Sequence, residues 1–537
     1  MNKNRLAGIF SIVLMLFFCI AAAMLYGKNH MVEIHDSYAE ELPAAPVEEN
    51  PLKGIREDFT LTEEFSTHLP IVILDMGGEE PPINTYYQKE HEKSAVGLYV
   101  PIEGLDPYVE GTISILENEG GMNTLKDEPV LTSQIRIKRR GNTSMYYEKA
   151  QWTVKTVTES GQDNDVDVLG MGAEHTWILN GSMYDKSMLR NYLAYSISSK
   201  ILNSTPDSRY CEVVIKNRDS YTYQGVYLML ESVEQGVDRV DIAEYHSKDT
   251  FNSYLVRRDR FDVEALTLDN YGHANGYSKE YMAVIYPSKC VITQDMTDYI
   301  NRDINYIEKI IYSDNPDEFI TYPEVIDVDS FIDYFLVNEY FGNYDAGNNS
   351  TYFYKDMGGK LVMGPVWDFD GAMDNYMYEP LETESLAFYT KPWFDRLCKD
   401  AEFVDKLEAR YVKLRQSELS NQNVVEKIDE IIAYLGGAQE REWMRWSNWY
   451  RTENKYSLQD YVAKDGTVLH RNAITYEDEI FRIKTALREH GDSIADALKH
   501  LEKDTRVTTG FEIWMGYLLL LATAVFFIPA VFVSFKK

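Results

Sequence analysis

The sequence predicts an α+β fold, β-rich in its first half and α-rich in its second, set between two apolar segments long enough to cross a membrane. Three observations carry this prediction. Short apolar or alternating runs punctuated by Gly, Pro and Asn fill the chain from Leu69 to Leu230. Beyond Thr293 the apolar residues recur at helical spacing. Uncharged apolar stretches occupy both ends, Leu6 to Gly27 and Ile513 to Phe535. A chain of 537 residues predicts several folded units at roughly 100 to 200 residues each. Its 45% hydrophobic content, with 40 Tyr and 8 Trp, supplies packed cores and excludes a disordered chain. A net charge of −33 repels polyanions, which argues against a nucleic-acid partner.

The first apolar stretch follows Lys3 and Arg5 and reads as a membrane segment or uncleaved anchor over 1–27; a signal peptide cut near Ala21-Ala22-Ala23 is the competing reading. The second, within 511–537, carries Trp514 and Tyr517 near one interface and ends on Lys536 and Lys537. The positive-inside rule puts both termini in the cytoplasm and the bulk of the chain outside the cell membrane, as an ectodomain. Between the ends, Glu, Pro and Ala predict an acidic linker over 28–65, then a small β-rich module over 66–129, a core over 130–400 and a helical C-terminal extension over 401–510. Cys19 lies in the apolar run, and Cys211, Cys290 and Cys398 are too far apart in sequence for a CxxC-type metal site.

Strands are expected at Leu69–Leu74, Ala95–Val100, Gly111–Leu116, Gln134–Lys138 and Gln151–Val157, the last two around the turn Gly141-Asn142-Thr143-Ser144. A helix from Lys186 to Leu202, capped by Asp185 or Ser187, aligns Leu189, Leu193 and Ile197. Glu212–Lys216 and Gly225–Leu230 flank a turn and predict an antiparallel pair. Tyr299, Ile300, Ile304, Ile307 and Ile311 form a helical stripe, and Phe331, Tyr334 and Phe335 form another behind an Asp329 cap. Tyr352–Tyr354 and Lys360–Met363 make a short β-pair around Gly358-Gly359, and helices follow over Phe403–Leu419, Val424–Leu435 and Glu477–Leu501. Trp443, Trp446, Trp449 and Tyr450 read as packing, and His175 and His273, lacking a second ligand nearby in sequence, read as structural.

No Walker A, HExxH or GxSxG motif is present, so the standard P-loop and hydrolase chemistries lose their support. What remains is a series of polar islands. Arg140-Gly141-Asn142-Thr143-Ser144 is a turn whose small residues let backbone N–H groups approach phosphate, with Lys149 and Lys155 nearby as fixed positive charges. Gly225 to Glu231 ends a hydrophobic strand on a carboxylate. Asn343-Tyr344-Asp345 to Asn348-Asn349 and Trp367-Asp368-Phe369-Asp370 supply hard oxygen ligands suited to Mg²⁺ and a carboxylate able to orient a hydroxyl.

In this order the islands, together with Trp177-Ile178-Leu179-Asn180 and Asp185 to Asn191, resemble the CotH family of spore-coat-protein-H-like proteins. The resemblance implies an atypical protein-kinase-like fold with a β-rich N-terminal lobe and an α-rich C-terminal lobe. It also implies ATP- and Mg²⁺- or Mn²⁺-dependent transfer of a γ-phosphoryl group to Ser or Thr of a secreted or envelope protein. Carried over by position, Asp345 is the catalytic aspartate, Asn349 or Asn348 binds metal, Asp368 takes the DFG-aspartate role and Asp370 offers a second ligand. The turn residues Arg140, Gly141 and Asn142 and one lysine, Lys155 or Lys149, serve the nucleotide, while Glu231 falls where a kinase hinge is expected. Departures from ordinary kinases are the missing GxGxxG and HRD. Two rival readings are a non-catalytic adhesion or coat-assembly module on the same fold, and a glycosyltransferase that uses Asp368 and Asp370 as a DxD motif; the Arg-Gly-Asn-Thr-Ser island has no role in the second.

Overall fold

The computed structural model describes Tyr38, residues 41–451 and 471–501 apart from short gaps at 84, 92–93, 119, 142–143, 182, 247, 250, 377–379 and 382, and a few residues between 461 and 469. Both apolar end segments lie outside these residues, and no helix among the described residues is long and apolar enough to cross a membrane. Residues 38–312 and 322–501 belong to one compact unit. Ser313–Thr321 belongs to another and holds the short helix Pro316–Phe319, capped by the Asn315 side chain.

Seven strands close into a barrel: β1 (Ile71–Asp75), β2 (Val109–Leu116), β3 (Leu131–Arg139), β4 (Trp152–Val157), β5 (Thr176–Asn180), β6 (Ser208–Asn217) and β7 (Ser220–Glu231). Around the barrel the order is β5-β7-β6-β1-β2-β3-β4, with β6 parallel to β1 in the register Glu212↔Ile71 and the other neighbours antiparallel. Alternation explains the closure. Val72, Leu74, Ile113, Ile135, Ile137, Trp152, Val154, Trp177, Leu179 and Met229 share one core, and residues between them, such as Lys138 and Lys155, take the opposite face.

The boundary expected at residue 130 therefore falls inside the barrel, because β1 and β2 pair with strands from the neighbouring segment. Nor is 41–65 a free linker. Ala45 N–H donates to Ala433 O at 2.9 Å, and Arg441 reaches Glu48 at 2.8 Å. Phe65 is buried against Tyr223 in a second small core.

A helix α1 (Arg190–Ser198), wholly buried, follows β5. It is shorter than expected, and Asp185 serves its start by accepting from Ser187 N–H and Arg190 N–H. A second sheet, not foreseen apart from its last pair, comprises β8 (Tyr254–Asp259), β9 (Leu266–Thr267), β10 (Tyr281–Tyr286), β11 (Thr351–Lys355) and β12 (Leu361–Met363) in the order β9-β10-β8-β11-β12.

The helical half contains α2 (Gln294–Ile311), α3 (Val328–Tyr340), α4 (Ala401–Leu414), α5 (Asn421–Leu435), α6 (Gly437–Arg445) and α7 (Tyr476–Lys499). In α2 the isoleucine stripe is buried and Thr293 caps the first turn. In α3 the cap is Asp327 rather than Asp329, and every residue from Ser330 to Tyr340 is buried, marking it as the central helix. Trp443, Trp446 and Tyr450 are buried, in keeping with a packing role.

Candidate active site

The site lies where the chain leaves α3 and where it leaves β12. Residues 341–350 make a tight loop in which Asn349 N–H donates to Asp345 O at 2.9 Å and Gly347 N–H donates to Thr351 Oγ1 at 2.7 Å. Two cations grip this loop from behind: the buried Arg258 guanidinium donates to Gly347 O at 3.1 Å, and Lys391 Nζ donates to Tyr344 O. Gly347 has φ +85°, and a Cβ there would stand 2.7 Å from Lys391 Cβ, so the clamp requires glycine.

Asp345 Oδ1 accepts from Asn349 Nδ2 at 2.9 Å. That bond fixes the amide so that its oxygen turns elsewhere. Asn349 is 9% exposed, and its Oδ1 is buried without a hydrogen-bond donor among the described residues. Asp368, on the loop after β12, has φ +63°, a conformation an aspartate adopts at a cost and one that marks functional loops. The surroundings hold it there. Its N–H donates to Tyr195 OH at 3.2 Å, its Oδ2 accepts from Ser350 Oγ at 3.2 Å, and its carbonyl accepts from Asn343 Nδ2 at 3.3 Å.

Burial first, then the neighbouring Asp345 charge, pushes Asp368 up to about 6, while Arg140 and Ser350 pull it back. Asp259, at the end of β8, belongs to the same acidic field: burial raises it, Asp345 adds to the rise, and Arg257 and Arg260 oppose it. The Arg260 guanidinium lies 3.9 Å from both Asp345 Oδ1 and Asp259 Oδ1. The Arg140 guanidinium sits over the Trp367 ring at 5.6 Å, and burial lowers its value against the pull of Tyr352 and Asp368. The cleft thus brings together the carboxylates of Asp345, Asp368 and Asp259, the buried Asn349 Oδ1 and the guanidiniums of Arg140, Arg257 and Arg260. Asp368 and Asp259 nonetheless stay raised, because burial and a like-charged neighbour outweigh these guanidiniums, and a positive ion bound between the carboxylates would lower them.

A family model described as CotH kinase protein matches residues 137–485, well over half of the chain. The chain belongs to the CotH kinase family. No curated protein matches it. The β-rich barrel followed by a helical half fits a CotH kinase-like fold, and the match runs through α6 into α7, so the segment after 400 is continuous with the family region rather than an extension to it.

Of the residues the sequence assigned to the site, Arg140, Asp345, Asn349 and Asp368 converge. Asn348 is less suited than Asn349, whose buried oxygen is the orphan. Asp370 accepts from Asn191 Nδ2, while Asn191 Oδ1 accepts from Phe369 N–H at 2.8 Å, so this carboxylate helps anchor the loop to α1. Gly141 has φ +95°, and a Cβ there would collide with Ser144 Oγ, so a tight turn is required; Asn142 lies outside the described residues.

Lys149 is a correction. It is 1% exposed at the mouth of the barrel, where Nζ donates to Glu442 Oε1 at 2.6 Å and Val226 O at 2.7 Å, so its charge is already committed. Lys155 stands on the outer face of β4, and its charge and that of Arg140 both act on Lys138. Glu231 is also corrected, from a ligand-facing hinge residue to a buried staple: its Oε2 accepts from Asp207 N–H at 2.8 Å, and burial pushes it up to about 8. Sequence reasoning missed Asp259, Arg257, Arg260, Ser350 and Tyr195. Asn191 was in the quoted motif without a role.

Proposed function

We propose that this chain is a membrane-anchored, extracytoplasmic protein kinase that transfers the γ-phosphoryl group of ATP to a Ser or Thr hydroxyl of a secreted or envelope protein. The observation that carries the proposal is the meeting of Asp345 and Asp368 in one acidic field beside the orphaned Asn349 Oδ1. The terminal apolar segments, with their cationic flanks, support anchorage with both ends in the cytoplasm.

In this reaction the acceptor oxygen bonds to the γ-phosphorus, the bond from that phosphorus to the β–γ bridging oxygen breaks, and ADP departs. The proton of the acceptor hydroxyl passes to the Asp345 carboxylate, which Asn349 Nδ2 orients at 2.9 Å. Asp368 and Asn349 Oδ1 would hold Mg²⁺ or Mn²⁺, which when bound neutralises phosphate oxygens. Arg140, which acts on Asp368, and Lys155 are the cations this reading assigns to the phosphates, whose charge they would offset. The grip of Arg258 and Lys391 on the loop keeps Asp345 in position without being consumed by the chemistry.

The full chain incubated with γ-labelled ATP, Mn²⁺ and a Ser-rich acceptor peptide is expected to label protein or peptide. Asp345→Ala or Asp368→Ala is expected to lower the rate by about 10²-fold or more, the scale of losing a general base or a metal ligand. Equal labelling in all three would reject the assignment, and none in the wild type would favour the adhesion or coat-assembly reading.

A further inference from the structure

We propose that Arg260 is a further catalytic residue: its guanidinium contacts the γ-phosphoryl group in transit and offsets the charge that develops there from the acceptor side of the cleft. The inference rests on the kinase reading above and gives a role to a residue which that reading leaves unused. It starts from a shortage of cations. Residues 341–350, which carry Asp345 and Asn349, contain no Lys or Arg. The two cations that grip this loop from behind are engaged by carbonyl oxygens, Arg258 by Gly347 O at 3.1 Å and Lys391 by Tyr344 O. A phosphoryl group passing from nucleotide to hydroxyl spreads negative charge over its equatorial oxygens, and a fixed donor aimed at that charge is what a cleft of carboxylates lacks at its acceptor end.

The backbone delivers Arg260 to that end. It is the first residue after β8, and Asp259 Oδ1 accepts from its N–H at 2.8 Å, fixing the turn. Arg257 Nε lies 3.5 Å from Asp259 Oδ2, so the two oxygens of Asp259 face different arginines. The Arg260 side chain then spans two carboxylates: one terminal nitrogen lies 3.9 Å from Asp259 Oδ1 and the other 3.9 Å from Asp345 Oδ1. Neither distance is a hydrogen bond, and the guanidinium makes none among the described residues. A structural arginine beside a carboxylate closes into a short bidentate pair, as Arg410 does on Asp333 at 2.6 and 3.1 Å. Arg260 is instead 49% exposed, steered by two carboxylates while its donors stay uncommitted.

Asp345 shows the complementary division. Its Oδ1 accepts from Asn349 Nδ2 at 2.9 Å and faces Arg260, while its Oδ2 has no partner among the described residues and is the oxygen left for the acceptor proton. Arg140, by contrast, acts on Asp368. The reacting phosphorus lies between Asp368 and the hydroxyl held at Asp345, so Arg140 and Arg260 bracket it, one from the nucleotide side and one from the acceptor side. Arg260 neither gains nor loses a proton. The bond from acceptor oxygen to γ-phosphorus forms, the bond from that phosphorus to the bridging oxygen breaks, the hydroxyl proton goes to Asp345, and ADP leaves with the electron pair. The planar fork of N–H donors matches adjacent phosphoryl oxygens, whereas a lysine would keep the charge and lose the fork.

The test makes two measurements on the full chain: label transfer from γ-labelled ATP to a Ser-rich acceptor peptide, and calorimetric binding of Mg²⁺ and ADP with and without aluminium fluoride, a mimic of the phosphoryl group in transit. Arg260→Ala is expected to lower kcat by about 10²- to 10³-fold, the scale of removing one donor from a developing charge, with the KM for ATP, the KM for peptide and the melting temperature unchanged. It is also expected to lose at least about tenfold of the tighter binding that aluminium fluoride confers on the wild type, while binding ADP alone equally well, and Arg260→Lys is expected to recover part of both losses. No label in the wild type and no gain from aluminium fluoride would reject the kinase reading itself and the role of Arg260 with it. A wild type that transfers label beside an Arg260→Ala variant of equal kcat, or one whose only change is a raised KM for the peptide, would overturn the role of Arg260 and leave that reading standing.

Discussion

Two regions of this protein bury charge in opposite ways. Where helices pack on the barrel and on one another, several buried charges are paired: Lys149 with Glu442 at 2.6 Å, Arg441 with Glu212 at 2.8 Å, and Glu479 with Arg190 and Arg482 at 2.7 and 2.8 Å. The consequence is visible in proton affinities. Glu479 falls to about 2 and Glu212 is lowered because their arginines outweigh the burial penalty. In the cleft the balance is reversed. Asp368 and Asp259 are raised by burial and by the neighbouring Asp345 charge, and Asn349 Oδ1 has no donor among the described residues. Compensated charge holds the fold together, whereas in the cleft burial and like charge outweigh the nearby guanidiniums, and the proposed cation would act there.

Breaking the compensated region has the larger expected effect on stability. Glu442→Ala strands Lys149, removes the partner of Tyr450 OH and Val226 N–H, and is expected to cost about 3 to 5 kcal/mol in chemical denaturation. Its Mn²⁺ affinity should stay unchanged, and a loss below about 1 kcal/mol would mean that the network is not what holds the helices to the barrel.

The same kind of change in the cleft should act with the opposite sign. A carboxylate whose folded value is raised to about 6 contributes stability that is full below its unfolded value and lost as pH rises through the folded one. Near pH 7.5 Asp368 is therefore a cost to the metal-free chain. Asp368→Asn is expected to raise the melting temperature at that pH and to do so less at pH 4, with a gain of roughly 1 to 3 kcal/mol at most. A variant destabilised at both values would show that Asp368 is a structural residue.

Much of this contrast was legible in the sequence, and the parts that were not share a cause. The strand runs at Gly111–Leu116 and Gln151–Val157 and the isoleucine stripe of α2 declare themselves because their periodicity is local. The islands around Arg140, Asp345 and Asp368 declare themselves by composition. Closure of the barrel does not, because the decisive pairing joins Ile71 to Glu212, strands far apart in sequence. Lys149 and Lys155 look equivalent as letters, and only the meeting with Glu442, on a helix nearly 300 residues later, separates them. Asp259 ends an unpredicted strand, and His175 was read without partners because Asp163 and Asp165 reach it through a hairpin turn. The acidic segment around Glu48 resembles a tether in composition, yet it is held by Arg441 and by the backbone of α5.

The central claim is that Asp368 and Asn349 form one cation seat beside Asp345. The most direct test measures Mn²⁺ binding to the full chain with ATP by paramagnetic resonance, in wild type, Asn349→Ala and Asp368→Asn, with Glu442→Gln as the control from the compensated region. The account predicts a loss of at least about tenfold in affinity for each cleft variant and none for the control. Equal affinity in all four proteins, or a loss confined to the control, would contradict it.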